Sequence, residues 1–357
     1  MSRTLDLLEH FPAGATPRPE QARLLASLAD AIAEADDDPA APHVLLVEAP
    51  PGVGKSHVAM TLARWSGDAY LLTSQKLLQD QYEREFGTEL QIVKGRDNYT
   101  CDHYPEARVP TSRGMCRRPR GPACQCPYAR VKAAALNGPI FCTNTAYFAT
   151  LRHWHAEQLR KRKLLIVDEA HNLESQLVSV FTVGFPPEQM RAWFSGPLPH
   201  LPSADDYRPL MTEHLERLEG RREAIARELE ALRPPDIAAD LFLRMPPSRA
   251  EQDLLVQRDE LESALARLRF FAGSEEGEWV VRYPADPAAT LELVPLTVAP
   301  MARELFAESA ELTVLSSAFL GHRAVLAEGF GLGEDGLRAF ASPSPFPLDQ
   351  RRIVYRP

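Results

Sequence analysis

The feature that most constrains the fold is a glycine-rich octapeptide, Ala49-Pro50-Pro51-Gly52-Val53-Gly54-Lys55-Ser56. The run before it, residues 43–49, is short, apolar and partly β-branched, which is typical of a buried strand. The run after it, residues 56–65, has the hydrophobic period of a helix. A glycine-rich turn between a strand and a helix lets backbone N–H groups point at phosphate oxygens, so this loop is predicted to bind a nucleotide.

Two side chains in this loop are expected to have distinct chemical roles. Lys55 is expected to reach the β- and γ-phosphates, and the Ser56 hydroxyl is expected to ligate Mg²⁺. The helix that begins near Ser56 directs the positive end of its dipole at the same anion. Ala49 stands where the usual pattern has its first glycine. The alternative is an ordinary strand-to-helix turn, and the flanking strand and helix argue against it.

Short apolar runs alternate with helical runs along much of the chain. This alternation predicts an α/β fold with a parallel sheet. Two stretches interrupt it: a Cys-, Arg-, Pro- and Gly-rich segment with little apolar core, and a charged, Leu-rich segment with two long helices. The predicted organisation is a loose leader over 1–16, α/β portions over 17–95, 142–175 and 296–357 (the last including the start of a linker), a cysteine-rich insertion over 96–141 and a helical insertion over 176–295.

A second motif, Asp168-Glu169-Ala170-His171, ends the apolar run that starts at residue 163. In a parallel sheet the carboxyl ends of the strands are where ligands bind. Asp168 is expected to hold Mg²⁺, and Glu169 is expected to orient and deprotonate the attacking water. His171 is expected to couple this site to neighbouring elements. Paired acids at a strand end are often only a helix cap, but here they follow a phosphate loop.

The chain has five cysteines: Cys101, Cys116, Cys124, Cys126 and Cys142. Its N-terminus has no apolar segment behind a basic start, and no run approaches the roughly 18 apolar residues of a membrane span. We therefore expect a cytoplasmic protein with no membrane contact. In a reducing compartment, cysteines favour metal ligation or thiols over disulfides. Four thiolates suit an iron–sulfur cluster or structural zinc, and the spacing does not separate the two.

The net charge of −9 does not indicate a nucleic-acid-binding protein. A bound polyanion nevertheless responds mainly to nearby charges, because salt screens charges beyond roughly 8–10 Å. Between Arg96 and Lys132 there are eight basic residues against three acidic ones. This patch overlaps the cysteines, so it is a candidate surface for a polyanion rather than ordinary solvated charge.

The phosphate loop and the DEAH sequence together resemble the first RecA-type domain of superfamily 2 helicases, and further motifs narrow the resemblance to the XPD/DinG type. Arg18 and Gln21 lie in a segment that resembles the adenine-reading Q motif. Residues 71–81 resemble motif Ia, and residues 143–147 resemble the family's Thr-Asn segment. Residues 315–320 resemble motif III, although Phe319 departs from the usual small hydroxyl residue.

This resemblance implies several site assignments. Four cysteines would bind a 4Fe-4S cluster, with Cys142 as a buried thiol or a substitute ligand and with zinc as the alternative metal. The implied cluster ligands are Cys101, Cys116, Cys124 and Cys126. The ATP and Mg²⁺ contacts would be Arg18, Gln21, the octapeptide 49–56, Asp168 and His171. The predicted DNA contacts are Thr73, Ser74, Gln75, Arg96 and Asn144.

The implied activity is that of an ATP-dependent DNA helicase, of a type found in DNA repair, that moves 5′ to 3′ on single-stranded or forked DNA. The helical insertion would correspond to the family's arch. The sequence holds no second RecA-type domain, so a partner polypeptide is expected to supply one, and hydrolysis by the chain alone is expected to be slow. Two alternatives stay open: a non-motor module that binds ATP and single-stranded DNA, and a zinc-bearing nucleotide hydrolase.

Overall fold

The computed structural model describes residues 6–37, 43–123, 125–186, 188, 189, 193, 198–282, 291–333 and 336–346. The chain divides into two compact units. The first, which we call the α/β unit, comprises Met1–Val93, Ala134–Leu177 and Val298–Pro357. The second, which we call the helical unit, comprises Lys94–Ala133 and Val178–Thr297. The cysteine-rich segment and the long helices thus belong to the same unit.

A seven-stranded sheet forms the centre of the α/β unit, and all of its described pairings are parallel. The predicted α/β fold with a parallel sheet is therefore confirmed. The apolar run 351–357 lies outside the described residues. The strands are β1 (Val44–Glu48), β2 (Ala69–Thr73), β3 (Gln91–Ile92), β4 (Ile140–Asn144), β5 (Arg162–Asp168), β9 (Ala310–Ser317) and β10 (Leu337–Ala341), in the order β10-β1-β9-β5-β2-β4-β3.

Helices connect these strands, as crossovers between parallel strands require. None of the helices in the described part of the chain has the length and hydropathy needed to cross a membrane. The helices of the α/β unit are α1 (Pro19–Asp37), α2 (Lys55–Ser66), α3 (Lys76–Phe86), α5 (Thr145–Trp154), α10 (Ala299–Ser309) and α11 (Arg323–Gly329), while α4 (Pro127–Asn137) and α6 (Leu173–Phe181) each have residues in both units.

Residues 6–16 are packed against the α/β unit, which differs from the loose leader expected over 1–16. Leu7 lies in a short 3-10 helix (Leu7–His10), is only 2% exposed and belongs to the same apolar core as α1 and α2. The Arg64 guanidinium on α2 donates a hydrogen bond to the carbonyl oxygen of Phe11 over 2.9 Å. Leu7 and the partly buried Phe11 therefore anchor this stretch, and two apolar residues are too few to give a period in the sequence.

Two long helices and a small antiparallel sheet form the core of the helical unit. α7 (Arg208–Ala231) packs against α9 (Arg249–Gly273), and α8 (Ala239–Arg244) lies between them in the chain. The sheet has the order β6-β8-β7, with β6 (Val183–Phe185), β7 (Trp279–Arg282) and β8 (Leu291–Pro295). The apolar faces of these elements form one continuous cluster.

A buried ion pair holds the cysteine-rich segment within the helical unit. The side chains of Arg118 and Glu251, the latter on α9, are each 1% exposed, and one of their two N–H to O contacts spans 3.0 Å. Arg118 also donates to the Tyr104 hydroxyl over 2.9 Å and to the Met245 carbonyl over 2.8 Å. The apolar cluster of this segment is small, so these polar contacts supply much of its attachment.

Candidate nucleotide site

An open cleft of about 500 Å³ lies at the carboxyl edge of the sheet in the α/β unit. This volume is within the range of sites that bind cofactors and small ligands. The cleft brings together residues that are far apart in the sequence. Those lining it that the sequence predicted as site residues are Arg18, Gln21, Pro50, Gly52, Gly54, Lys55, Ser56, Asp168 and Glu169.

The phosphate loop follows β1 and turns into α2 through two glycines in the left-handed region. Gly52 has φ +87° and Gly54 has φ +89°, conformations that a side chain would strain. A Cβ at Gly52 would also lie 2.7 Å from the Phe346 ring, which packs over the loop. These glycines leave the backbone accessible from the cleft, which is the condition for N–H groups to approach phosphate.

Two residues of the predicted Q motif form hydrogen bonds to backbone carbonyls of the phosphate loop. Arg18 donates to the carbonyl oxygen of Gly52. Gln21, which is 4% exposed, accepts a hydrogen bond from the Arg18 N–H over 2.8 Å and donates one to the Gly54 carbonyl over 3.2 Å. Both ends of the Gln21 amide are therefore engaged within the protein. Contact with a base would have to use the second N–H or the second lone pair of that amide.

The charged side chains of the site are Asp168 at the end of β5, Glu169 directly after it, and Lys55 at the end of the phosphate loop. The Lys55 ammonium is 3.2 Å from a carboxylate oxygen of Glu169. Glu169 has φ +55°, a left-handed conformation that is uncommon for a residue with a side chain. Such strain persists where the surrounding structure fixes it, and it is frequent at functional sites. The turn aims Glu169 back towards Lys55 and the cleft.

Asp168, the last residue of β5, is 3% exposed and makes two hydrogen bonds. One carboxylate oxygen accepts from the Glu169 N–H over 3.0 Å, and the other accepts from the Tyr82 hydroxyl over 3.0 Å. Burial raises the pKa of Asp168 above the ordinary carboxyl value, whereas the hydrogen bond from Tyr82 and the charge of Lys55 oppose that rise. The carboxylate is thus oriented on both oxygens.

Strand β9 lies between β1, which precedes the phosphate loop, and β5, which ends in the DEAH sequence. Residues at the end of β9 pair with both strands. Ser316 is in register with Asp168 on β5 and with Val47 on β1. The next residue, Ser317, has its hydroxyl 2.7 Å from Nδ1 of His171. Nδ1 of His171 also lies 3.3 Å from a Glu169 carboxylate oxygen. The segment resembling motif III is therefore bonded directly to the DEAH sequence.

Several predicted site residues do not line the cleft. Ala49 and Val53 are fully buried, and Pro51 is exposed beside the loop. His171 is about half exposed and is connected to the site through Glu169. Phe319 in the motif III segment is 69% exposed.

The predicted DNA contacts differ in their accessibility. In the α/β unit, Thr73 is fully buried and its carbonyl accepts a hydrogen bond from the Thr145 hydroxyl over 3.3 Å. Ser74 is partly exposed and Gln75 is exposed at the start of α3. Asn144 is the N-cap of α5, and its side-chain oxygen accepts from the Tyr147 N–H over 2.8 Å. Of these residues, Gln75 offers the most accessible side chain.

Arg96, the remaining predicted DNA contact, belongs to the helical unit. Its guanidinium carbon lies 4.3 Å from the centre of the Tyr128 ring, a cation–π geometry. The Arg96 carbonyl accepts a hydrogen bond from the Thr111 hydroxyl over 2.8 Å. These contacts give Arg96 a structural role within the cysteine-rich segment.

The cleft has further lining residues that the sequence analysis did not identify. They are Phe11, Ala15, Thr16, His57, Leu78, Gln81 and Glu85. The rings of Phe11 and His57 are stacked with their centroids 5.8 Å apart. Tyr82 was also missed, although it contacts Asp168. A sequence signal existed for it, because a tyrosine on the buried face of a helix needs a hydrogen-bond partner.

The cysteines divide between the two units. Cys142 lies in β4 and is fully buried in the apolar core of the α/β unit. Cys101, Cys116 and Cys126 belong to the helical unit, and none of these described cysteines forms a disulfide. Cys124 lies outside the described residues. Within the described part of the chain, no three His, Cys, Asp or Glu side chains come together as a metal site, and the cluster stays a prediction.

A comparison with solved structures identifies the fold. A structure described as an XPD helicase matches with a TM-score of 0.55 and 13% identity, covering 92% of this chain and 62% of its own. A structure described as a truncated XPD matches with a TM-score of 0.49 and 13% identity, covering 83% of this chain and 95% of its own. No protein-family profile and no curated protein matches the sequence. The chain spans about three fifths of the first structure, and it shares the α/β fold of XPD helicases.

Proposed function

We propose that this chain is the ATP- and single-stranded-DNA-binding half of an XPD/DinG-like DNA helicase. The observation that carries the proposal is the convergence of Lys55, Asp168 and Glu169 on one cleft beside the phosphate loop. These three residues come from two separate strand ends, and their charges suit a nucleoside triphosphate. The XPD-like fold supports the assignment to a helicase rather than to another nucleotide hydrolase.

The donor set in the cleft fits Mg²⁺. Asp168 and Ser56 both present oxygen atoms there, and oxygen is the ligand that Mg²⁺ prefers. When bound, Mg²⁺ would neutralise charge on the β- and γ-phosphates. In this proposal Lys55 releases Glu169 and binds the γ-phosphate instead. Glu169 is then available to orient the attacking water and to accept its proton, and His171 holds Glu169 in place.

The DNA contacts are proposed at the start of α3, where Ser74 and Gln75 reach the surface, with Asn144 and Arg96 as further candidates. By resemblance, the substrate is single-stranded or forked DNA and the movement is 5′ to 3′. We also propose a 4Fe-4S cluster held by Cys101, Cys116, Cys124 and Cys126.

The nucleotide assignment is tested by binding of a fluorescent ATP analogue and by ATP hydrolysis, with and without single-stranded DNA. We expect Mg²⁺-dependent binding and slow hydrolysis that single-stranded DNA accelerates. Lys55→Ala should abolish the acceleration, whereas the exposed Lys163→Ala on β5 should match the wild type. If Lys55→Ala hydrolyses ATP as fast as the wild type, the site assignment fails.

The cluster is tested separately by purification without oxygen. A brown protein with about four irons per chain, lost in a Cys116→Ser variant, is the expected result. Cys142→Ser is the matched control and should keep its iron, because Cys142 lies in the core of the other unit. A colourless protein that holds one zinc and no iron would contradict the cluster.

A further inference from the structure

Tyr82 is a buried phenol in contact with a proposed Mg²⁺ ligand. It lies on the inner face of α3 and is 1% exposed. Its hydroxyl donates to a carboxylate oxygen of Asp168 over 3.0 Å. The other oxygen of that carboxylate accepts from the Glu169 N–H over 3.0 Å.

We propose that Tyr82 is a positioning residue that orients the Asp168 carboxylate for the metal of Mg²⁺–ATP. The proposal rests on the nucleotide site proposed above. It goes beyond that site because Tyr82 belongs neither to the phosphate loop nor to the DEAH sequence. Its effect is exerted through Asp168, since Tyr82 is not one of the residues that line the cleft.

The hydrogen bonds to Asp168 explain how such a residue would act. Tyr82 donates to one carboxylate oxygen, and the Glu169 N–H donates to the other. These two donors fix the rotation of the carboxylate. The lone pairs that they leave free are thereby held in one orientation at the cleft, which Asp168 lines.

Mg²⁺ makes such positioning consequential. The ion demands near-ideal octahedral geometry, so a ligand that is misplaced or free to rotate binds it poorly. Outer partners of metal ligands typically change metal affinity by about 10–100-fold when they are removed. Without the phenol, Asp168 would keep only its bond from the Glu169 N–H.

The competing explanation is that the Tyr82 hydroxyl only stabilises the fold. Tyr70 provides a matched comparison within the same unit. It is also 1% exposed, and its hydroxyl donates to the Arg160 carbonyl over 2.8 Å, at a position that does not line the cleft. Removing either hydroxyl breaks one hydrogen bond of a buried tyrosine, but only removal of the Tyr82 hydroxyl affects a proposed metal ligand.

The experiment measures binding of a fluorescent ATP analogue as Mg²⁺ is varied, in the full chain and in Tyr82→Phe and Tyr70→Phe. We expect Tyr82→Phe to need about 10–100-fold more Mg²⁺ for half-maximal enhancement of binding, with nucleotide affinity in EDTA unchanged. Tyr70→Phe should need the same Mg²⁺ as the wild type. Tyr82→Met, which removes the hydroxyl but leaves a flexible apolar side chain, should repeat the shift if the phenylalanine variant is poorly folded.

The possible results separate the two proposals. If Tyr82→Phe and Tyr82→Met bind with the wild-type Mg²⁺ dependence, the positioning role is wrong while the nucleotide site stands. An equal shift in Tyr70→Phe would mean that general destabilisation causes the effect, and it would also overturn the inference. If the wild type itself shows no Mg²⁺-dependent binding, the nucleotide site fails and the role of Tyr82 fails with it.

Discussion

The two units both bury charged side chains, but they use them differently. In the helical unit, Arg118 and Glu251 are paired with each other, and the remaining N–H groups of Arg118 bind carbonyls and a phenol. In the α/β unit, Asp168 is almost equally buried, yet it is one of the residues that line an open cleft. Lys55 and Glu169 beside it are partly exposed and contact each other across that cleft.

This difference shows that burial of a charge does not by itself indicate a functional site. A buried pair whose hydrogen bonds are all satisfied within the protein has no capacity left for a ligand. In the proposed nucleotide site, the pair of Lys55 and Glu169 would separate because a phosphate offers Lys55 a stronger partner. The comparison therefore agrees with the proposed chemistry in the α/β unit and with a stabilising role for the buried pair in the helical unit.

The largest expected effect comes from Glu169→Gln, which removes the proposed base while keeping its shape. General acid–base groups typically contribute about 10²–10⁴-fold to a rate, so DNA-stimulated ATP hydrolysis should fall by that order. Nucleotide binding should persist, because Lys55 loses its competing carboxylate. Steady-state hydrolysis and analogue binding measure the two effects. Glu174→Gln, at an exposed position on α6, is the control, and an equal loss there would remove Glu169 from its role.

The next largest expected effect is a loss of stability in the helical unit. Glu251→Ala leaves Arg118 charged and buried without its carboxylate, and breaking a buried pair in this way typically costs about 3–5 kcal/mol. Hydrogen exchange, measured by mass spectrometry on the full chain, should accelerate in α9 and in the cysteine-rich segment. Exchange in α2 of the α/β unit should stay at the wild-type rate.

The matched control for that variant is Glu219→Ala on α7. Glu219 pairs with Arg269, and both side chains are more than two fifths exposed. Exposed pairs contribute about 0–1 kcal/mol, so this variant should exchange nearly as the wild type does. Similar acceleration in Glu219→Ala and Glu251→Ala would mean that the buried pair has no special role in holding the segment.

Individual strands and helices were predictable from the sequence because their formation depends on the pattern of neighbouring residues. The strand, loop and helix around the phosphate loop follow from hydrophobic period and glycine placement, and the structure has β1 and α2 within a residue or two of the predicted bounds. The long helices of the helical unit were found for the same reason. The packing of residues 6–16 was missed because two anchoring residues, Leu7 and Phe11, are too few to produce a period.

Contacts between distant residues were not predictable in this way. Tyr82 contacts Asp168 because β2 lies next to β5 in the sheet, and the order of strands is set by tertiary packing rather than by the sequence near either residue. Arg118 and Glu251 are separated by 133 positions, and each resembles any other charged residue in a charged segment. The cluster, the DNA contacts and the role of the helical insertion stay predictions.

The smallest expected effect is a difference between the two units in how their stability depends on pH. His214 on α7 is 4% exposed, and burial, followed by the charge of Arg217, lowers its pKa below the ordinary value, while Glu213 acts against this. The folded state therefore favours the neutral ring. Well above pH 7 the ring is neutral both folded and unfolded, so stability does not depend on its titration there. As the pH falls below the unfolded value of about 6.5, the unfolded chain gains a proton that the folded chain resists, and the helical unit is destabilised.

Hydrogen exchange in α7 should consequently accelerate between pH 7 and pH 5, after correction for the intrinsic effect of pH on exchange. His214→Leu should make this acceleration smaller, because the group that binds the proton in the unfolded chain is gone. The sheet strands of the α/β unit serve as the internal reference. If α7 and those strands respond equally to acid in both proteins, the buried histidine does not make the helical unit the more acid-sensitive of the two.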